Sequence, residues 1–290
     1  MKKINLTLLL LIVMTTISAQ EKIMLYPQGP QESNELKEPE SWRDKDFLRN
    51  ISEPRILVFS AKEEVANGTA VLICPGGGYS GVSVVKEGED IAKWFNARGV
   101  TAFVLYYRMP NGHHDIPLKD AQTAMKYIRK TAKKWNINKQ KIGVMGFSAG
   151  GHLVATLATH NSRKTRPDFA MLIYPVITMD KEFTHKGSRD NLLGKNPSTD
   201  QIRIYSNELQ VSKKTPPTFI VHAKDDQSVP IKNSQVFYDA LIQNNIPAEL
   251  NIYNQGGHGF GMREKGVDSD SWSQKLEKWL IKQKIIDSRQ

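Results

Sequence analysis

The chain has 290 residues, 39% hydrophobic and 24% charged, which excludes a largely disordered polypeptide and suits one large α/β domain or two small ones. Its single cysteine, Cys74, excludes an internal disulfide framework and any cysteine-rich zinc module. The net charge of +10 reads as a solvated basic face, and with no zinc-finger, RNP-like or arginine-rich pattern no nucleic-acid partner is expected.

Residues 1–19 read as an address. Lys2 and Lys3 precede an apolar run from Leu6 to Ile17, and Ser18-Ala19 offers small residues for a cut after Ala19. A basic start, a short apolar stretch and a small residue at its end describe a secretory signal peptide. The run is shorter than the ~20 residues needed to cross a bilayer as a helix, and no cysteine follows it for lipid attachment. The expectation is a protein secreted or held in the periplasm, with no membrane association once the leader is removed.

Residues 20–290 are expected to form a single α/β domain. From Tyr26 to about Asn50 the chain is rich in Pro, Glu, Gln and Lys without a clear period, and reads as a lead-in lying on the surface. Strand-like and helix-like segments then alternate. Arg55–Ser60, Thr69–Cys74, Val100–Tyr107, Lys141–Gly146, Phe169–Tyr174, Thr218–His222 and Ala248–Tyr253 are short apolar runs bounded by turn residues. Lys86–Arg98, Leu118–Trp135, Gly150–His160, Ile231–Gln243 and Ser271–Lys282 carry helical spacing. That alternation predicts a mostly parallel sheet covered by helices on both faces. Residues 178–217 interrupt it with short amphipathic pieces and no strand, as a lid or substrate-facing lobe inserted between two strands would.

Gly146-Phe147-Ser148-Ala149-Gly150 is a G-x-S-x-G pattern between a predicted strand and a predicted helix. A sharp turn there exposes the Ser148 hydroxyl above the sheet, and the helix N-terminus aims backbone N–H groups at developing negative charge. A serine needs an oriented base. His258 sits among glycines in Gly256-Gly257-His258-Gly259-Phe260-Gly261, a setting poorly suited to packing, whereas His113, His114, His152, His160, His185 and His222 read as surface or core residues. Asp225 and Asp226 are adjacent and cannot both face that histidine; the spacing from His222 to Val229-Pro230 selects Asp226. Pro75-Gly76-Gly77-Gly78-Tyr79 follows an earlier strand, where bare glycine backbone can approach a substrate oxygen.

These motifs, with Tyr107-Arg108, GFSAGGH at 146–152 and HAKDDQSVP at 222–230, resemble the α/β-hydrolase fold and, within it, exported bacterial esterases of the acetylxylan-esterase and feruloyl-esterase-like type. The resemblance covers roughly Leu25 to Leu280. Pro75 replaces the histidine that often leads the glycine loop, and Ala223 replaces the glycine usual after His222. The resemblance implies a secreted serine esterase that deacetylates xylan-type polysaccharide or oligosaccharides through an acyl-enzyme on Ser148, with no cofactor and no metal. It also implies that Gly77, Gly78 and Ala149 supply the oxyanion donors, and that Tyr79, Arg108 and Arg189 line the substrate pocket.

A lipase or general carboxylesterase, a peptidase of the same fold and a non-catalytic carbohydrate-binding protein are the alternatives. The peptidase would normally carry a large N-terminal propeller, for which the lead-in is too short. His113-His114-Asp115 lacks metal-ligand spacing on a regular element. N-terminal sequencing of protein recovered from a native host should begin near Gln20; an intact Met1 would refute the leader.

Overall fold

The computed structural model describes residues 20–288, so the expected leader at 1–19 lies outside the described residues. In chain order the strands are β1 (Glu21–Met24), β2 (Ser41–Trp42), β3 (Phe47–Arg49), β4 (Arg55–Phe59), β5 (Ala70–Cys74), β6 (Gly81–Ser83), β7 (Thr101–Tyr106), β8 (Ile142–Phe147), β9 (Ala170–Ile173), β10 (Thr218–Ala223) and β11 (Ala248–Tyr253). The α-helices are α1 (Asp90–Asn96), α2 (Ile116–Thr131), α3 (Ser148–Thr159), α4 (Lys186–Leu193), α5 (Thr199–Tyr205), α6 (Lys232–Gln243) and α7 (Trp272–Lys282).

Eight strands form one sheet in the order β1-β4-β7-β5-β8-β9-β10-β11. The pairs β1/β4 and β4/β7 are antiparallel and the rest are parallel. Every residue of β5, β7, β8, β9 and β10 is buried. Continuous apolar runs are what a sheet covered on both faces requires, whereas half-exposed β4 alternates, with Ile56 and Val58 inward. Helix α1 packs on β4 and β7, α3 on β5, β8 and β9, α6 on β10 and β11, and α7 on β10.

Two parts differ from the sequence reading. The lead-in is more than surface cover: β3 pairs with β2 on one side and β6 on the other in a second, antiparallel sheet, Leu48 is buried, and the Asn34 amide donates to the Ile51 and Met109 carbonyls. Strands of two and three residues are too short to display an alternation, so periodicity could not reveal them. The helix expected from Lys86 begins as a π-helical turn over Val85–Glu89 and becomes α-helical at Asp90. Residues 178–217 hold α4, α5 and a 3₁₀ turn at Asn207–Gln210. Ser198 and Gln201 close a reciprocal capping box at the start of α5.

Arg108, expected in the substrate pocket, is structural. It is 2% exposed and grips the fully buried Asp120 of α2 through Nε and Nη2, at 3.0 and 2.6 Å. Its Nη1 donates to the Glu32 carbonyl and its guanidinium stands 5.2 Å from the Tyr26 ring centroid, so it ties the lead-in to the body. A planar fork matched to a carboxylate suits this role. Removing one partner strands a buried charge, so Asp120→Ala should lower unfolding free energy by about 3–5 kcal/mol. Denaturant titration checks this; a loss below about 1 kcal/mol would mean that the pair behaves as a solvated one.

Candidate active site

Strand β8 runs extended to Phe147 (φ −118°, ψ 134°), and Ser148 then takes φ +51° as the first residue of α3. Left-handed backbone at a non-glycine residue costs energy and persists only where packing enforces it. Gly150 provides the packing: a Cβ there would lie 2.1 Å from the Cys74 carbonyl oxygen, so only glycine lets α3 press on the end of β5.

Loops at the C-terminal ends of other parallel strands bring the partners. Ser148 Oγ lies 2.8 Å from His258 Nε2, and His258 Nδ1 lies 2.7 Å from Asp226 Oδ2. With Nδ1–H donating to the carboxylate, Nε2 is free to accept the serine proton. Asp226 Oδ1 accepts from the Ser228 and Val229 N–H groups, at 2.9 and 2.8 Å, and His222 Nε2 stands 3.3 Å from Oδ2. Burial opposes the charge on Asp226, but the bonds from His222 and His258 prevail and hold its pKa well below the usual carboxylate range. Asp225 points elsewhere. Its carboxylate accepts from the Gly256 and Gly257 N–H groups, at 3.2 and 2.8 Å, and braces the loop that carries His258.

The glycine loop after β5 closes the other side. Gly77 adopts φ +148°, and a Cβ on it would fall 2.1 Å from the Gly81 carbonyl oxygen. Among the hydrogen bonds of the described residues none uses the N–H of Gly77, Gly78 or Ala149, which leaves all three as candidate oxyanion donors. The Gly76 N–H is engaged instead with the buried Glu87 carboxylate, at 2.8 Å. Glu87 also accepts from the Tyr174 hydroxyl at 2.9 Å, and that hydroxyl accepts from Gly261 N–H at 3.1 Å. One carboxylate therefore links the oxyanion loop to the histidine loop. Burial drives the pKa of Glu87 up, against Lys86 and these bonds.

Tyr79 and Arg189 do not line the pocket. Tyr79 is 2% exposed and its hydroxyl bonds His152 Nδ1 at 2.8 Å. The other His152 nitrogen meets the Tyr205 carbonyl oxygen at 2.8 Å, so Nε2 carries the proton and Tyr79 donates. Burial pushes the His152 pKa down to about 4, which keeps this core link neutral. Arg189 turns away, its Nε donating to the Met179 carbonyl at 3.0 Å. An aromatic or a cation in a resemblance-bearing motif serves packing as readily as substrate, and sequence spacing cannot tell the two apart.

A cavity of about 390 Å³ opens over Ser148 and His258. Gly76, Gly77 and Gly78 line it, with Asp46, Phe47, Ser80 and Ser83 on one side and His185, Gly187 and Asn191 on the other. His185, read from the sequence as surface or core, thus belongs to the site, and so does the lead-in's Asp46. Asp46 accepts from the Val85 and Lys86 N–H groups at 2.9 and 2.7 Å, fixing the turn that carries Glu87. Glu87 had a signal: helical spacing sets it on the buried stripe with Ile91 and Phe95, where a carboxylate must be held. His185 had none.

A nucleophile on a strand-to-helix turn, followed in the chain by its acid and then its histidine, is what α/β-hydrolases share, and this protein is one. Similarity to known proteins narrows the class. The chain belongs to the BD-FAE family, whose model matches residues 57–241. It is 39% identical over 241 residues to the acetylxylan esterase of Xylanibacter ruminicola, across 81% of this chain and 50% of that protein. It is 36% identical over 236 residues to endo-1,4-beta-xylanase B of Butyrivibrio fibrisolvens, across 75% of this chain and 37% of the relative. The chain thus spans half or less of the length of these two relatives. The crystal structure of an acetyl ester-xyloside bifunctional hydrolase from Caldicellulosiruptor lactoaceticus superposes with a TM-score of 0.80 at 35% identity, covering 92% of this chain and 97% of that one.

The two aspartates give separable expectations. Asp226→Asn should lower kcat by about 10³ to 10⁴, since an amide presents the wrong group to Nδ1 and spoils the tautomer. Asp225→Asn keeps an oxygen for the loop and should cost only a few-fold. Steady-state rates on p-nitrophenyl acetate decide; a dead Asp225 variant beside an active Asp226 variant would reverse the assignment.

Proposed function

We propose that this protein is a serine carboxylic-ester hydrolase that removes acetyl groups from xylan-type polysaccharide or its oligosaccharides, outside the cytoplasm and without a cofactor. The observation that carries the reading is the unbroken hydrogen-bonded chain from Ser148 through His258 to Asp226, opening into the cavity. The cavity's polar lining of Asp46, Ser80, Ser83, His185 and Asn191 suits a sugar better than a fatty chain. The relatives named for acetylxylan and xylan chemistry support the substrate class.

Ser148 Oγ attacks the acetyl carbonyl carbon while its proton passes to His258 Nε2. The carbonyl oxygen becomes an oxyanion facing the N–H groups of Gly77, Gly78 and Ala149. The carbon–oxygen bond to the sugar then breaks, and the sugar oxygen takes the proton from His258. Water, giving its proton to His258, attacks the acetyl-serine. The bond from the acyl carbon to Ser148 Oγ breaks as His258 returns its proton to that oxygen, and acetic acid leaves and ionises in solvent. Asp226, ionised throughout, orients the ring and stabilises the imidazolium.

Ser148→Ala should fold normally and lose turnover by on the order of 10⁴-fold or more. His258→Ala should behave alike, and the double variant should lose little further because the two act as a unit. A panel of acetyl, butyryl and feruloyl esters with acetylated xylan tests the substrate. Preference for butyryl over acetyl esters would overturn the deacetylase reading, and a Ser148→Ala enzyme within tenfold of wild type would overturn the mechanism.

A further inference from the structure

His185 stands immediately before α4 and caps it with its ring. Its Nδ1 accepts from the Ser188 N–H at 3.2 Å and lies 2.8 Å from the Ser188 hydroxyl. A ring nitrogen that accepts a backbone N–H carries no proton, so the proton of the neutral imidazole sits on Nε2. Among the described residues Nε2 has no hydrogen-bond partner, and the ring lines the cavity over Ser148. The helix it caps is fastened to the oxyanion loop, because Asn191 Nδ2 donates to the Gly78 carbonyl at 2.8 Å. A Cβ placed on Gly78 would lie 3.8 Å from His185 Cε1. Burial, and then the neighbouring His258, lower the pKa of His185, which keeps the cap and the tautomer in place.

The ester itself leaves no use for this donor. The acyl oxygen faces backbone N–H groups, the leaving oxygen is served by His258, and an acetyl methyl accepts no hydrogen bond. A neutral N–H on a ring that lines the cavity finds an acceptor only in the alcohol part of the substrate. We infer that His185 Nε2–H binds a hydroxyl or ring oxygen of the sugar next to the scissile ester, making His185 a specificity-determining residue of the inserted segment. This rests on the esterase reading above. It explains why the cap is a histidine, since asparagine, aspartate or serine would cap α4 equally well without reaching the cavity.

His185→Asn separates the two duties, because its side-chain oxygen can still accept the Ser188 N–H while nothing replaces Nε2–H. Two acetyl esters serve as probes: a monoacetylated methyl β-xyloside, and cyclohexyl acetate, whose ring carries no oxygen beyond the ester. The ratio of kcat/KM for the xyloside over cyclohexyl acetate should fall about ten- to hundredfold in His185→Asn, the effect of one lost hydrogen bond to a buried polar group. The melting temperature should hold in this variant and drop in His185→Ala. If His185→Asn does not fold, His185→Ser, which also offers an oxygen to cap α4, provides the same ratio. An unchanged ratio, with both esters losing equally or neither losing, overturns the role of His185 and leaves the esterase reading intact. A wild-type enzyme that cleaves cyclohexyl acetate no worse than the xyloside also overturns it. A wild-type enzyme that cleaves no ester overturns the esterase reading, and this inference with it.

Discussion

The left-handed turn at Ser148 is the constraint about which the site is built. A serine at φ +51° costs on the order of 1–3 kcal/mol in isolation. It is held because β8 is paired on both sides, by β5 and β9, and because α3 starts against the carbonyls of Cys74 and Pro75. The same turn lifts Oγ above the sheet and leaves the Ala149 N–H beside it. Substrate-facing backbone is thereby set by the packing of the core, where motion is most restricted.

The loops around that turn are rich in glycine and have few side chains with which to pack. Side-chain carboxylates hold them instead, one buried (Glu87), one half-buried (Asp46) and one exposed (Asp225). Glu87 grips Gly76 and, through Tyr174, Gly261; Asp46 fixes the start of the turn carrying Glu87; Asp225 grips Gly256 and Gly257. The ring of Tyr174 also packs edge-on against His258, with centroids 4.9 Å apart. Burying a carboxylate is costly, and a group so placed is tolerable only when its oxygens are fully used. In exchange it prescribes direction, which apolar contact does not. His222 serves the same end beneath Asp226, giving Nε2–H to the Val229 carbonyl at 2.9 Å and accepting from Ser234 at Nδ1.

The inserted segment between β9 and β10 joins this arrangement through polar bonds as well. His152 reaches the Tyr205 carbonyl, Asn233 accepts from the N–H groups of Ile177 and Thr178, and Asn191 holds Gly78. A wall of the cavity thus comes from a part of the chain that contributes no strand to the sheet. Opposite it, Asp46 and Phe47 come from the lead-in. Both walls of the cavity therefore come from segments outside the eight-stranded sheet, while Ser148, Asp226 and His258 follow the ends of its strands.

The sequence by itself determined the parts whose physics is local. The short apolar runs Thr69–Cys74 and Lys141–Gly146, bounded by turn residues, read as strands and became β5 and β8, buried on both faces, and G-x-S-x-G at a strand–helix junction demands the sharp turn. The spacing around Asp226 and the glycines around His258 were equally legible, and the structure brings both residues to Ser148. Tertiary structure alone decided which polar residues face the cavity. Arg108 and Tyr79 lie within motifs that read as functional, yet one neutralises Asp120 and the other bonds His152 in the core. His185 and Asp46 carry no sequence mark and line the site. The reason is that a side chain's partner is fixed by contacts more than a hundred residues away, such as Asn191 to Gly78, and by backbone directions that no local period encodes.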